Sequence, residues 1–118
     1  MEKKILVADD DTGTREFYKA AFESEGFTVQ SAPDATAAII ACEDFKPDML
    51  LLDWDMPGGG GKMVFEKICG LLGKQIPVLF ITGSPQLVDV DAQAGKIAVL
   101  KKPASAEAIL ANVAQLLK

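Results

Sequence analysis

The 118-residue sequence contains no histidine, and this absence narrows the chemistry open to the chain. Without an imidazole there can be no His-based catalytic triad, no histidine-ligated metal site and no phosphohistidine on this chain. Any phosphoryl chemistry would therefore have to use a carboxylate, and the phosphoryl group would have to come from another molecule.

Cysteine, basic charge and long apolar runs are also scarce. Cys42 and Cys69 are too few for a disulfide framework and lack the spacing of a metal site, so we expect both to be small buried residues. No apolar run approaches the ~20 residues of a membrane span, and the apolar stretch Ile5–Val7 is too short for a signal peptide. We therefore expect a cytoplasmic protein that does not bind a membrane. A net charge of −5, with no basic cluster beyond Lys101-Lys102, argues against direct nucleic-acid binding.

The composition is that of an ordinary folded domain. Hydrophobic residues make up 49% of the chain and charged residues 25%, which is close to globular averages. The length suits a single domain, so we expect one domain over residues 1–118.

Five apolar, β-prone runs alternate with stretches of helical periodicity. The expected strands are Lys4–Asp9, Phe27–Ser31, Met49–Asp53, Val78–Thr82 and Ile97–Lys101. The first expected helix is Thr12–Glu25, with Phe17, Ala20, Ala21 and Ser24 on one stripe. The second is Pro33–Glu43, with Pro33 in its first turn, and the third is Gly61–Leu72, with Leu72 on its apolar face. Ser105 is expected to cap the last helix of the chain. Weak helix propensity between Gly83 and Gly95 predicts that the helix between the fourth and fifth strands, the fourth in chain order, is short, frayed or absent.

This alternation predicts an α/β fold. Three of the strands are nearly continuous apolar runs, as in parallel sheets covered on both faces. We therefore expect a doubly wound, five-stranded parallel sheet in a three-layer sandwich with right-handed crossovers. If the fold is flavodoxin-like, the strand order is 2-1-3-4-5.

The unusual polar residues fall at strand ends. They are Asp9, Asp10 and Asp11 after the first strand, Asp53 at the end of the third, Thr82 at the end of the fourth and Lys102 after the fifth. Parallel strands bring these ends to one edge of the sheet, where the first and third strands are neighbours. Any one of these residues alone is more simply a turn, cap or solvated residue, and Asp11 is best interpreted as a helix cap. Their joint occurrence favours a site.

Such a site has a chemical rationale. Clustered carboxylates repel one another, and a bound divalent cation would offset that repulsion; oxygen ligands with open positions suit Mg2+. Asp53 would be ionised at neutral pH, since the reference pKa of Asp is ~3.9, and could attack phosphorus to form an aspartyl phosphate. Thr82 could donate to one phosphoryl oxygen while Lys102 neutralises another.

At these residues the sequence resembles the receiver domains of two-component response regulators. The matching motifs are Ile5–Asp11, Pro47–Gly58, Pro77–Gly83 and Leu100–Pro103. The resemblance implies that the acid pair Asp9 and Asp10 holds Mg2+ together with Asp53 and the backbone carbonyl of Asp55. It also implies that Asp53 is the phosphoacceptor.

The same resemblance implies that Thr82 is the switch hydroxyl and that Lys102, not Lys101, contacts the phosphoryl group. The donor would be a histidine kinase or histidine phosphotransfer protein, the downstream protein is unknown, and the chain would phosphorylate and slowly dephosphorylate only itself. No output domain follows in these 118 residues, so we expect output by protein contact, by phosphate relay or through part of a longer chain. The sequence departs from the family at Val99, where most receivers have an aromatic residue.

Two other functions fit parts of the sequence. Asp53 and Asp55 mimic the nucleophile and the acid/base of haloacid-dehalogenase-like phosphatases, although in that family the nucleophile strand comes first, and 118 residues leave no room for a cap domain. The stretch Gly58–Lys62 is a poor phosphate-binding loop because Met56 and Met63 stand where Gly and Ser/Thr are required. We interpret its glycines as a flexible loop beside the site. A structural domain with an inactive site is a third alternative, which the complete set of acids disfavours.

Overall fold

The computed structural model describes residues 3–72, 75–90 and 96–118. Strands and helices alternate along the chain. The strands are β1 (Lys4–Ala8), β2 (Thr28–Ala32), β3 (Met49–Asp53), β4 (Val78–Thr82) and β5 (Ile97–Lys101). The helices are α1 (Thr12–Glu23), α2 (Ala35–Phe45), α3 (Gly60–Phe65), which continues as a π-helical segment over Glu66–Leu71, and α4 (Ala106–Leu116). None of these helices is long and apolar enough to cross a membrane.

The five strands form one parallel sheet in the order β2-β1-β3-β4-β5, which confirms the predicted fold. Alternate side chains of each central strand enter two separate cores. Leu50 and Leu52 pack beneath α2 and α3, whereas Met49 and Leu51 pack beneath α1 and α4. This explains why the central strands are apolar without a break, since both faces of the sheet are covered by helices.

Side-chain caps set the starts of three helices. Asp11, Asp34 and Ser105 each accept a hydrogen bond from a backbone N–H in the first turn of α1, α2 and α4, and the cap by Ser105 was predicted. The prediction that Pro33 lies in the first turn of α2 was wrong, because Asp34 is the N-cap residue of that helix and Pro33 precedes it.

Two buried faces differ from the predicted ones. In α1 the residues that enter the core are Tyr18 and Phe22, whereas Phe17 is 45% exposed. The sequence offers apolar residues on two adjacent stripes of this helix, and packing against the sheet selects one of them. Leu72 is exposed because it follows a π-helical turn, closed by Leu72 N–H donating to the Lys67 carbonyl, which breaks the 3.6-residue period.

The segment after β4 contains no α-helix in the part that the structure describes. A single 3-10 turn forms at Pro85–Leu87, and residues 88–90 run on without regular structure; residues 91–95 lie outside the described ranges. The prediction of a short or irregular fourth helix is therefore confirmed for the described portion. On the neighbouring strand, Val99 is 39% exposed.

Of the four glycines that the sequence predicted to form a loop, Gly58 and Gly59 precede α3, whereas Gly60 and Gly61 belong to its first turn. Gly58, Gly59 and Gly60 have positive φ angles, and Gly60 and Gly61 are buried at the start of α3. A β-carbon on Gly60 would collide with the Trp54 carbonyl oxygen, and one on Gly61 would lie 2.6 Å from the Asp53 carbonyl oxygen. These glycines allow α3 to begin directly against the backbone that follows β3.

We predict that Gly61→Ala destabilises the domain by about 1–3 kcal/mol, because the added methyl group forces the Asp53 backbone to shift. Gly70→Ala is the matched control, since among the described residues no atom outside its own helix backbone and its chain neighbours lies within 4 Å of the added β-carbon, and alanine favours the helical backbone. The free energy of unfolding in urea measures both effects. Equal values for the two variants would contradict the close approach seen at Gly61.

Candidate functional site

Three carboxylates meet at the carboxyl edge of the sheet. β1 and β3 are paired, with Ala8 beside Leu52, so Asp9 and Asp53 emerge next to each other. Asp9 and Asp53 are only 1% and 4% exposed, whereas Asp10 is exposed. One oxygen atom from each of the three carboxylates lies within 4.8 Å of the others.

Lys102 reaches this cluster from the loop after β5. Its Nζ atom lies 2.8 Å from Asp9 Oδ2 and 3.2 Å from Asp53 Oδ2. Its backbone N–H donates to the Thr82 carbonyl at 2.8 Å, which fixes the loop to the end of β4. Lys101 is exposed and is the last residue of β5, so the structure brings Lys102, and not Lys101, to the acids.

The negative charges of the cluster outnumber its one positive charge, that of Lys102. Burial raises the pKa of Asp53, the charge of Asp9 raises it further, and Lys102 only partly opposes the two effects. Burial alone would lower the pKa of Lys102, but its hydrogen bond to Asp9 and the charges of Asp53 and Asp9 raise it overall. Lys102 is therefore protonated at neutral pH, and its single charge is shared between two buried acids.

The loop between β1 and α1 is held by hydrogen bonds that separate Asp11 from the cluster. Asp11 Oδ2 accepts from Thr14 N at 2.8 Å and from Thr14 Oγ1 at 2.7 Å, and these bonds lower the pKa of Asp11. The backbone N–H of Asp11 donates to Asp9 Oδ1 at 2.9 Å, and Arg15 Nη1 donates to the Asp9 carbonyl at 2.7 Å. The cap by Asp11 was predicted from sequence, whereas the contact of Arg15 with Asp9 was not, because no motif marks Arg15.

Asp55 and Thr82 lie close to Asp53 along the chain and across the sheet. The Asp55 N–H donates to Asp53 Oδ1 at 3.2 Å, while the Asp55 side chain is exposed and is not among the clustered acids. Thr82 is fully buried, and its Oγ1 accepts from Ser84 N at 3.1 Å. Within the described ranges no hydrogen bond joins the Thr82 side chain to Asp53 or Lys102.

The three carboxylates fit a divalent cation. Together with the Lys102 ammonium they carry a formal charge of −2, from three negative groups and one positive group. The exposed Asp10 leaves one side of the cluster open to water, and the donor atoms are all carboxylate oxygens. Mg2+ favours such a site, because it binds through a few carboxylates and keeps several waters.

Trp54, the only tryptophan, follows Asp53 directly. Its ring packs edge-on against Phe80 with 5.4 Å between centroids, and Phe80 contacts Phe65 in a similar way at 5.9 Å. The indole is thus packed against Phe80 next to the cluster, where its fluorescence can report on ligands.

Comparison with known proteins identifies relatives over nearly the whole chain. The family model of the response regulator receiver domain matches residues 5–114. The DNA-binding response regulator MtrA of Mycolicibacterium paratuberculosis is 30% identical over 115 residues, which cover 96% of this chain and 50% of MtrA. Response regulator MprA of Mycobacterium tuberculosis is 33% identical over 122 residues, which cover 100% of this chain and 52% of MprA. The chain therefore spans about half the length of these relatives.

Solved structures show the same similarity. A CheY-like response regulator receiver domain protein from Methanospirillum hungatei has a TM-score of 0.86 and 25% identity, covering 99% of this chain and 94% of that one. The receiver domain of the hybrid histidine kinase CckA has a TM-score of 0.81 and 28% identity, covering 98% and 99%. These matches give no support to a haloacid-dehalogenase-like phosphatase.

We predict that Asp53→Asn stabilises the metal-free protein at pH 7. A raised pKa in the folded state means that ionised Asp53 opposes folding above that pKa, and that this penalty disappears as the pH falls below the ordinary pKa of Asp. Removing the charge should therefore raise the free energy of unfolding by on the order of 1 kcal/mol, measured by thermal unfolding in a chelator. The exposed Asp89→Asn variant is the control, with no expected change. A destabilised Asp53→Asn variant would contradict this electrostatic assignment.

Proposed function

Because this chain belongs to the response regulator receiver domain family, whose members are phosphoacceptor signalling domains of two-component systems, we propose that residues 1–118 form one receiver domain and that Asp53 accepts its phosphoryl group. The observation that carries this proposal is the position of Asp53. It is a buried carboxylate at the end of β3, bridged to Asp9 by the Lys102 ammonium and close to Asp10.

The reaction is a direct transfer to Asp53. A carboxylate oxygen of Asp53 attacks the phosphorus atom of the donor, and the bond from phosphorus to the donor's leaving atom breaks as the new O–P bond forms. The electron pair leaves with the donor. The ionised carboxylate needs no general base, because it has no proton to lose. Burial and the charge of Asp9 raise the pKa of Asp53, and Lys102 partly opposes that rise and so favours the ionised form.

Receiver domains generally bind Mg2+ at a cluster of aspartates, and the same role is proposed here for Asp9, Asp10, Asp53 and the backbone carbonyl of Asp55. Bound Mg2+ would neutralise charge on the phosphoryl oxygens. Asp9 is held for this task by the Asp11 N–H on its carboxylate and by Arg15 on its carbonyl.

Lys102 and Thr82 are proposed to contact the transferred group. The Lys102 ammonium already lies 3.2 Å from Asp53 Oδ2, so it needs only a small movement to pair with a phosphoryl oxygen. The Thr82 hydroxyl, which accepts from Ser84 N, still has its own O–H to donate to another oxygen. Catalysis then consists of positioning and charge stabilisation.

Response regulator receiver domains interact with histidine kinases, and for this chain we propose a histidine kinase or a histidine phosphotransfer protein as donor. The chain would phosphorylate and slowly dephosphorylate itself without turning over other substrates. The name of MtrA refers to DNA binding, but this chain matches only half of MtrA and has a net charge of −5. We therefore propose that these 118 residues contact a downstream protein, not yet identified, rather than DNA.

Incubation with a small phosphodonor and Mg2+ should add one phosphoryl group to the protein, and Asp53→Asn should abolish the addition. Intact-mass spectrometry measures the uptake. Asp55→Asn is the matched control and should retain it, because the Asp55 side chain is exposed and only its backbone is assigned a role. Uptake by the Asp53 variant equal to that of the unsubstituted chain would refute the assignment.

Mg2+ binding should depend on Asp10 far more than on Asp11. Asp10→Ala removes one of the clustered carboxylates, whereas Asp11→Ala removes a helix cap and costs about 1 kcal/mol of stability. Titration of Mg2+ followed by Trp54 fluorescence compares the two variants, and removal of Mg2+ by a chelator should reverse the signal. Equal losses of affinity would show that the two acids are wrongly assigned.

A further inference from the structure

Tyr18 is the only tyrosine of the chain, and neither the metal cluster nor the phosphoryl contacts described above use it. It lies on α1 and is 3% exposed, packed in the core that contains Val7 and Ile81. Side chains of a helix lean toward its N-terminus, and the N-terminus of α1 follows the end of β1. The phenol therefore extends toward the edge of the sheet that carries the carboxylates.

A cavity of about 440 Å³ lies on this side of the site, and both Tyr18 and Lys102 line it. Asp11 and Thr14 form its wall at the start of α1, and Pro103 forms the wall beyond Lys102. The aromatic ring of Phe17, 5.8 Å from that of Tyr18, completes the apolar part. Tyr18 and Lys102 thus line the same open cavity, and the ammonium of Lys102 links this cavity to Asp9 and Asp53.

The hydrogen-bonding capacities of the two side chains are complementary. Within the described ranges the Tyr18 hydroxyl makes no hydrogen bond, whereas every fully buried side-chain nitrogen or oxygen has a partner. The hydroxyl therefore keeps some accessible surface, which faces the cavity that Tyr18 lines. An ammonium has three N–H donors, and Lys102 directs two of them to Asp9 and Asp53. One donor remains, on a side chain that is 30% exposed.

The charges of the site also act on Tyr18. Burial raises the pKa of Tyr18 to about 12, Lys102 opposes the shift, and Asp9 and Asp53 add to it. The phenol is therefore neutral at physiological pH and can accept a hydrogen bond from an ammonium.

We propose that Tyr18 is a positioning residue for Lys102. The remaining N–H of Lys102 donates a hydrogen bond to the Tyr18 hydroxyl, directly or through one water, while the ammonium moves from Asp53 to the phosphoryl group. The inference rests on the proposed function of Asp53 and Lys102. With Asp9 on one side and Tyr18 on the other, the ammonium stays over the carboxylates instead of turning into solvent. Tyr18 touches neither the phosphorus atom nor the metal ligands in this role.

Tyr18→Phe tests the proposal, because it removes the hydroxyl and keeps the buried ring. The rate of phosphorylation by a small phosphodonor at saturating Mg2+, followed by Trp54 fluorescence and intact mass, should fall about three- to tenfold, as expected for one hydrogen bond to a charged group. Phe17→Leu is the control, since it alters the same cavity without removing a polar atom, and its rate should stay within about twofold of the original.

A double-mutant cycle with Lys102→Met separates positioning from general packing. If Tyr18 acts through Lys102, Tyr18→Phe slows phosphorylation in the original chain and has no further effect when Lys102 is Met. An unchanged rate in the first background, or an equal loss in both, overturns the proposal. Asp53→Asn, tested in parallel, distinguishes this failure from failure of the proposed function, because phosphoryl uptake by that variant would reject the phosphoacceptor itself.

A spectroscopic readout complements the kinetics. Because the chain has one tyrosine, incorporation of 3-fluorotyrosine gives a single fluorine resonance from position 18. That resonance should move in Lys102→Met and on addition of a beryllofluoride-type phosphoryl mimic with Mg2+. A resonance that stays in place under both conditions contradicts contact between the hydroxyl and Lys102.

Discussion

The ammonium of Lys102, shared between the carboxylates of Asp9 and Asp53, is the interaction on which the site depends. It joins residues that are 93 and 49 positions apart in sequence, and it brings the loop after β5 to the ends of β1 and β3. A single positive charge cannot satisfy two buried acids and an exposed third one. The excess negative charge makes the cluster receptive to a divalent cation, and the phosphoryl group adds further negative charge that Lys102 is placed to meet.

The fold supplies this arrangement through the order of its strands. Because β1 and β3 are neighbours and all five strands are parallel, polar residues that end separate strands converge at one edge. The buried part of each central strand is apolar and covered by helices, so the carboxylates are attached to the packed core of the sheet. The glycines at the start of α3 complete the support by bringing that helix directly against the backbone of Asp53.

Some of this structure could be predicted from sequence, and some could not. The three central strands follow from nearly continuous apolar runs, the parallel sheet follows from the alternation of strands with helices, and the residues brought to the cluster follow from their positions at strand ends. Helix faces depend on packing, so the choice of Tyr18 over Phe17 could not be made from a helix that carries two apolar stripes. The roles of Gly61 and Arg15 depend on contacts with the Asp53 and Asp9 carbonyls, which no local pattern reveals.

The unbroken apolar strands also affect how the unfolded chain behaves. Segments such as Met49–Leu52 and Val78–Ile81 are strongly apolar and carry no charge, which are properties of sequences that aggregate when exposed. Asp53 and Thr82 end these two segments with polar groups, and charged residues flanking an apolar strand disfavour stacking between chains. Asp53 would therefore act as a gatekeeper against aggregation before the chain folds, in addition to its proposed chemical role after folding.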